Sequence, residues 1–344
     1  MPQTNILFTC AGRRNYLINY FKQALNGTGS VIAVDMDVNA SALIDADIFL
    51  TVPSIFDENY ISFLKDVCKT HKVAAVISLN DLELPILSKH KKEFEDFGTK
   101  IIVSNEEVID TAFDKWKTYQ FLKANNLLTP QTYIDLNKAL VDLEDNKLNF
   151  PLVLKPRWGS ASIGVDIVES KEELMLSYQL LKIKLSRSNA GKTSVIDINN
   201  AILIQEKLGG KEFGMDILND FHGNYYGSFA REKLSMRCGE TDKAKSVINI
   251  DISNVGKAIS EKLKHLGTLD CDVFVDEDKI YVLEFNPRFG GGYPFSHEAG
   301  INTAAIYIEW IRGGNSISAF NNYKENMVFA KHDTLINIPV LGEL

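Results

Sequence analysis

The sequence predicts an α/β unit on a parallel sheet, followed by a larger α+β unit. Over the first hundred residues, short apolar runs alternate with amphipathic stretches, the pattern of repeated βαβ crossovers. Further on, apolar runs follow one another across short turns, as antiparallel strands do. At 344 residues the chain is also too long for one ordinary core.

In the first unit, "NILFTC", "SVIAVD", "AAVISL" and "TKIIVS" are the expected strands. "RRNYLINYFKQAL", "ENYISFLKDVCKTH" and "LPILSKHKKEFEDF" are the helices between them, so the sheet is covered on both faces. In the second unit, "FPLVLKPRWGSASIGVDIVES" reads as two strands joined by a Gly- and Ser-bearing loop, with the helix "KEELMLSYQLLKIKL" and the polar stretch "SRSNAGKTS" after it. From "AILIQEKLGGKEFGMDIL" onward the strands "NYYGSFARE" and "TLDCDVFVDEDKIYVLEFNP" alternate in direction. The helices "VGKAISEKLKHLG" and "NTAAIYIEWIRG" complete this part. The divisions are residues 1–112, 113–205, 206–330 and a C-terminal segment 331–344.

Composition narrows the function. A net charge of −8 argues against nucleic acid, whose phosphates need a basic face. No apolar run is long enough to span a bilayer, and the start lacks the pattern of a secretory signal. Cys10, Cys68, Cys238 and Cys271 are scattered, which fits reduced thiols in a cytoplasmic protein without membrane partners.

The chemistry concentrates in "LDCDVFV-DED-KIYVLEFNPRFGGG", a hairpin. A turn near Asp276 to Asp278 sets Asp272 about opposite Glu284, with Cβ atoms roughly 4.5–5.5 Å apart. Two such carboxylates repel unless a cation or a proton lies between them. Asn286 adds a carbonyl oxygen on the same face. Three hard oxygen donors suit magnesium, which takes water and phosphate oxygens as its remaining ligands. Arg288 then offers a planar fork to an anion beside the metal, and the glycines after it are expected to let a ligand lie against bare backbone. Lys155 ends an apolar strand before a loop, Trp158 to Gly164, whose N–H groups can fold over phosphates. Glu212, after Gly209-Gly210, is placed to accept from ribose hydroxyls. Two other signals fail. "AGKTS" has Ser186 where a P-loop needs glycine and follows a helix. The first strand and Asp35 have the outline of a dinucleotide site, but only Gly12 stands where three glycines are needed, and Arg13 and Arg14 crowd the pyrophosphate position.

In order, Lys115, Lys155, the Gly/Ser loop, "QEKLGGKE", Asp272 and "LEFNPRFGGG" resemble the ATP-grasp superfamily, and more closely its carbamoyl-phosphate-synthase-like carboxylate–amine ligases. The resemblance implies a Rossmann-like pre-ATP-grasp domain and then an ATP-grasp fold of two subdomains. It implies that Lys115 and Lys155 contact ATP phosphates and that the loop of Gly159, Ser160, Ser162 and Gly164 closes over them. Glu206, Lys207 and Leu208 would meet the adenine edge and Glu212 the ribose. Asp272, Glu284 and Asn286 would hold magnesium, or manganese in its place; many relatives carry Glu or Gln where Asp272 stands. Arg288 would face the γ-phosphate or acyl phosphate, with Arg231, Lys233 and Arg237 as further phosphate or carboxylate contacts. The implied reaction joins a small carboxylate to an amine through an acyl phosphate. Alternatives are a kinase or carboxylase on this fold, an NAD-dependent oxidoreductase, or a nucleotide sensor. Asp81, at the carboxyl edge of the N-terminal sheet, is either an ammonium contact or a helix cap, and a homodimer through the N-terminal domain is expected.

Overall fold

The computed structural model describes residues 3–159, 163–187 and 195–338. Ser160 and Ser162 of the expected phosphate loop lie outside the described residues, as do residues 190–194 of "AGKTS" and the last six of the C-terminal segment.

The first sheet contains β1 (Asn5–Thr9), β2 (Val31–Asp35), β3 (Ile48–Thr51), β4 (Val73–Ser78) and β5 (Lys100–Ile101). All are parallel, in the order β3-β2-β1-β4-β5. Successive side chains on a strand point to opposite faces, and both faces here are apolar. Ile6, Phe8, Val31 and Ala33 join one core, which holds residues of the helices Asn15–Leu25 and Thr303–Ile311. Leu7, Ile32 and Val34 join another, with residues of the helices Tyr60–Thr70 and Leu84–Glu95. Strand β3 was not expected. Its residues alternate half-buried and exposed at the sheet edge, so it lacks the dense apolar run that marks β1, β2 and β4.

The second sheet is small and antiparallel, in the order β6-β9-β7-β8: β6 (Thr132–Tyr133), β7 (Leu152–Pro156), β8 (Asp166–Val168) and β9 (Ile202–Glu206). The helix Lys171–Arg187 buries Leu174, Leu181 and Leu185 against it. The third sheet has the order β14-β13-β10-β11-β12-β15. Its strands are β10 (Lys211–Asn219), β11 (Tyr225–Arg237), β12 (Glu240–Val247), β13 (Thr268–Asp276), β14 (Lys279–Asn286) and β15 (Val328–Ala330). Residues of the helices Glu106–Phe113, Lys115–Ala124 and Ile250–Leu263 share its core. Gly209-Gly210 carries the chain from the small sheet into the large one. Gly210 has φ +76°, and a Cβ there would fall 2.2 Å from the Val275 carbonyl oxygen. Among the described residues no helix is long and apolar enough to cross a membrane.

Candidate functional site

The hairpin β13–β14 turns through Glu277 and Asp278, with Asp276 paired to Lys279. An irregularity between Asp272 and Val273 resets the register, so that Asp272 stands opposite Glu284 and Asp270 opposite Asn286. The sequence expectation of facing carboxylates is met. The neighbouring acid, Asp270, was missed because the bulge sets its register.

A cavity of about 500 Å³ opens between the small and large sheets. Lys115, Lys155, Gly159, Glu206, Lys207, Leu208, Glu212, Lys233, Asp272 and Glu284 line it, with Ile163, Val165 and Ile167 among the apolar residues facing them. Lys115 opens the helix Lys115–Ala124, whose N-cap Asp114 accepts from the backbone N–H of Trp116 at 3.0 Å. Asp114 also takes the Arg157 guanidinium in a two-pronged pair, at 2.7 and 2.6 Å, which ties the helix start to the end of β7. The Lys115 ammonium reaches the Gly159 carbonyl and lies 3.5 Å from Glu284.

Lys155 is buried and donates to Gln205 Oε1 at 2.9 Å, while Gln205 Nε2 donates to Thr132 at 2.8 Å. Gln205 is a site neighbour the sequence hid; the signal was an amide inside the apolar run "AILIQ". Burial lowers the Lys155 ammonium from the usual lysine value to about 8, against the pull of Glu284. Lys233 bridges Glu212 at 2.6 Å and Asp272 at 2.8 Å. Burial opposes its charge, yet Asp272 and Glu212 hold its pKa above the ordinary lysine value. Burial likewise opposes charge on Glu284, but Lys115, Lys155 and Lys233 bring its carboxyl below the usual range. Asp272 shifts the other way: burial, with Asp270 and Glu284 nearby, outweighs Lys233.

Glu212 faces Lys233 on the cavity wall. Arg288, two residues after Asn286, is not among the residues lining the cavity; its guanidinium lies 2.6 Å from Asp81 and 3.9 Å from Asp270. Asp81 is therefore an arginine partner across the domains in this structure. Arg231 does not line the cavity: fully buried, it pairs with Asp216 at 2.6 Å and Asp270 at 3.2 Å. Arg237 is exposed and pairs with Asp333 at 2.7 Å, outside the cavity. Asp35 pins the loop after β1 by accepting from Gly12 N at 2.8 Å. The glycines after Arg288 serve a different contact from the expected one. A Cβ on Gly290 would lie 2.1 Å from the Asp270 carboxyl carbon, and one on Gly292 2.2 Å from an Arg231 nitrogen. They make room for the ion pair of Asp270 and Arg231.

Among the described residues no three His, Cys, Asp or Glu side chains form a metal-binding group by themselves. Asp272 and Glu284, paired and lining the cavity, fit an oxygen-loving divalent ion that completes its shell with water and phosphate oxygens; Asn286 stands further along the strand, opposite Asp270, and is not among the residues lining the cavity. The ammonium groups on those carboxylates mark where positive charge is favoured.

Known families and folds agree with this architecture. Residues 6–102 match the "PylC-like, N-terminal domain" family and residues 112–292 the "ATP-grasp domain" family. The chain is 26% identical over 234 residues to the carbamoyl phosphate synthase large chain of Pseudothermotoga lettingae. That match takes in 64% of this chain and 20% of the relative, so the chain spans about a fifth of that protein's length. A biotin carboxylase–β,γ-ATP complex from Campylobacter jejuni superposes with a TM-score of 0.73 at 16% identity, over 94% of this chain and 74% of that one. An L-amino acid ligase from Bacillus licheniformis gives 0.71 at 19% identity, over 95% and 79%. At these identities the two structures establish shared fold. The ATP-grasp match takes in more than half of the sequence, and this chain belongs to the ATP-grasp family, a family of ATP-dependent ligases.

Proposed function

We propose that this protein is an ATP-dependent carboxylate–amine ligase that forms an amide through an acyl phosphate. The observation that carries the reading is the convergence of Lys115, Lys155 and Lys233 with Asp272 and Glu284 on one cavity between two sheets. Lys115 and Lys155 neutralise the triphosphate. Glu206 to Leu208 offer backbone to the base and Glu212 a carboxylate to the ribose, exchanging its bond to Lys233. Asp272, Glu284 and Asn286 hold magnesium, which when bound draws charge from the phosphate oxygens. A substrate carboxylate oxygen bonds to the γ-phosphorus as the bond to the β-phosphate oxygen breaks, releasing ADP. An amine nitrogen then bonds to the acyl carbon, phosphate leaves, and the nitrogen sheds its proton. No protein nucleophile is required; positioning and electrostatics supply the acceleration. Arg288, held by Asp81, presents a fixed guanidinium to the transferred group.

Hydroxylamine intercepts acyl phosphates. Incubation with ATP, magnesium and a panel of small acids is expected to yield a hydroxamate, and addition of the matching amine to divert it to amide and free phosphate. A stable phosphorylated product with no hydroxamate would establish a kinase. A carboxylated product, requiring bicarbonate, would establish the carboxylase reading. Thermal stabilisation by NAD in place of ATP–magnesium would move the activity to the N-terminal sheet.

The depressed Lys155 value makes a second expectation. With a pKa of about 8, this ammonium is charged at pH 7 and loses its proton as pH rises. Bound triphosphate favours the protonated form and raises that pKa. ATP affinity is therefore flat below about pH 8 and falls by up to about tenfold per pH unit above it, with proton uptake on binding. Calorimetry in buffers of different ionisation enthalpy measures both; pH-independent affinity between 7 and 9.5 would exclude Lys155 from the phosphate contacts.

A further inference from the structure

Arg14 has no role in the reaction as described so far, yet the fold invests heavily in its position. It follows β1 at the carboxyl end of the parallel sheet, beside the place where the strand order reverses between β1 and β4. Open α/β sheets bind ligands at such a crevice. The loop carrying it is pinned throughout. Gly12, at φ +53°, donates to Asp35 and its carbonyl accepts from Ala42 N at 3.0 Å, while Arg14 N donates to the Ala11 carbonyl at 3.0 Å. Arg14 then occupies the position before the helix Asn15–Leu25, with no capping bond from its side chain.

Its guanidinium is directed across the domain boundary. A Cβ on Gly291 would meet Arg14 Nη1 at 3.2 Å and the Glu240 carboxyl carbon at 3.4 Å, so arginine and acid come together over the bare glycine of the loop after Arg288. Arg288 itself is close enough for the two charges to oppose each other. Arg157, Arg231, Arg237 and Arg288 hold the carboxylates of Asp114, Asp216, Asp333 and Asp81 in turn, while Arg312 bonds the hydroxyls of Thr4 and Thr28. Arg14 makes one side-chain hydrogen bond among the described residues, to the Tyr16 hydroxyl at 2.8 Å, and has no carboxylate within ion-pairing distance. Glu240, the acid it meets over Gly291, attracts it from beyond ion-pairing distance and is itself bonded by Lys331 at 3.2 Å. A half-buried guanidinium with no carboxylate in its planar fork leaves that fork free for a carboxylate or phosphate.

We propose that Arg14 is the oxyanion-binding subsite of the ligase cleft, receiving a carboxylate or phosphate-ester group of the small-molecule substrate at the carboxyl edge of the N-terminal sheet. The substrate then reaches from Arg14, over Gly291, to Arg288 and the site of phosphoryl transfer. This assigns the substrate to the anionic class and makes Arg14 a specificity-determining residue. It rests on the ligase reading, and its test is kept separate from nucleotide binding.

Succinate and inorganic phosphate, as carboxylate and phosphate probes, are titrated into the full chain by calorimetry beside ATP–magnesium. At least one probe is expected to bind the unaltered protein. Arg14→Gln is expected to weaken it tenfold or more, and Arg13→Gln, on an exposed side chain, to leave it unchanged; ATP–magnesium affinity is the same in all three. The stronger probe identifies the substrate's oxyanion. Equal affinity of the unaltered protein and Arg14→Gln, or no binding of either probe, overturns the assignment. Should Arg14→Gln not fold, crystals of the unaltered protein soaked in selenate decide: an anomalous peak within hydrogen-bonding distance of Arg14 supports the subsite, and peaks only elsewhere reject it. Loss of ATP–magnesium binding in the unaltered protein would sink the ligase reading while leaving the anion titration to stand.

Discussion

Replacing Glu284 with glutamine is expected to lower ATP turnover by about 10²–10³-fold while the protein stays folded. The side chain is cross-strand partner to Asp272 and lies among three lysines, with Lys115 at 3.5 Å. Glutamine keeps the volume and one oxygen but removes the charge. A single preorganised group acting on transition-state charge is worth about 2.7–4 kcal/mol, and in the proposed site Glu284 would act twice, as metal donor and as the acid that orients Lys115. The loss should fall mainly on kcat. Magnesium titrations should require far more metal to reach the reduced plateau, since one of two carboxylate donors is gone. Asp272→Asn should behave alike and also release Lys233 from its bond at 2.8 Å. Steady-state phosphate release across a magnesium series checks both. Unchanged turnover at sub-saturating magnesium in Glu284→Gln would remove the metal site from this hairpin.

Much of this was legible because the chemistry interrupts a strong apolar pattern. Acids within "LDCDVFV" and "YVLEFN" cannot belong to a plain core strand, the turn at Asp276 to Asp278 sets Asp272 about opposite Glu284, and period-two spacing adds Asn286 to the face of Glu284. The parallel sheet was legible for a similar reason: β1, β2 and β4 are buried on both faces and read as near-continuous apolar runs. What stayed hidden depends on long-range pairing. Asp81 and Arg288 lie 207 residues apart in sequence, so neither an ammonium contact nor a cap anticipated their 2.6 Å bond. Glycine spacing showed that something must approach bare backbone, but not that it was Asp270 and Arg231 from neighbouring strands. The reach of Lys233 to Glu212 and Asp272 depends on three adjacent strands of the large sheet, a fact of topology rather than of local pattern.

Arg231→Met is expected to cost about 3–5 kcal/mol of stability, the usual price of stranding buried charge. The guanidinium is 1% exposed and joins Asp216, Ser296 and Asp270, at 2.6, 3.1 and 3.2 Å. Methionine fills much of the volume, leaves Asp216 without a cation and leaves Asp270 with Arg288 alone, at 3.9 Å. Asp216 already has one oxygen lacking a hydrogen-bond partner among the described residues, so little slack remains. The sign of the pH dependence follows from Asp270. Burial raises its carboxyl above the usual range even with Arg231 present. Without Arg231 the folded-state pKa climbs further above the unfolded one, so the penalty is full at pH 7 and shrinks as pH falls through the raised value. Urea unfolding followed by tryptophan fluorescence at pH 7 and pH 5.5 should therefore show the variant closing part of its deficit at the lower pH. Removing an acid along with the arginine makes the second check: Asp216→Leu with Arg231→Met should be more stable than Arg231→Met alone, because a matched apolar pair costs less than one stranded charge. The network also reaches function. Asp270 is shared between Arg231 and Arg288, at 3.2 and 3.9 Å, and Arg288 continues to Asp81 in the N-terminal domain. Loss of Arg231 frees Asp270 to draw Arg288 away from Asp81, so the double variant should recover stability before it recovers turnover. Full recovery of both would confine Arg231 to holding the fold and leave Arg288 to be positioned by Asp81 alone.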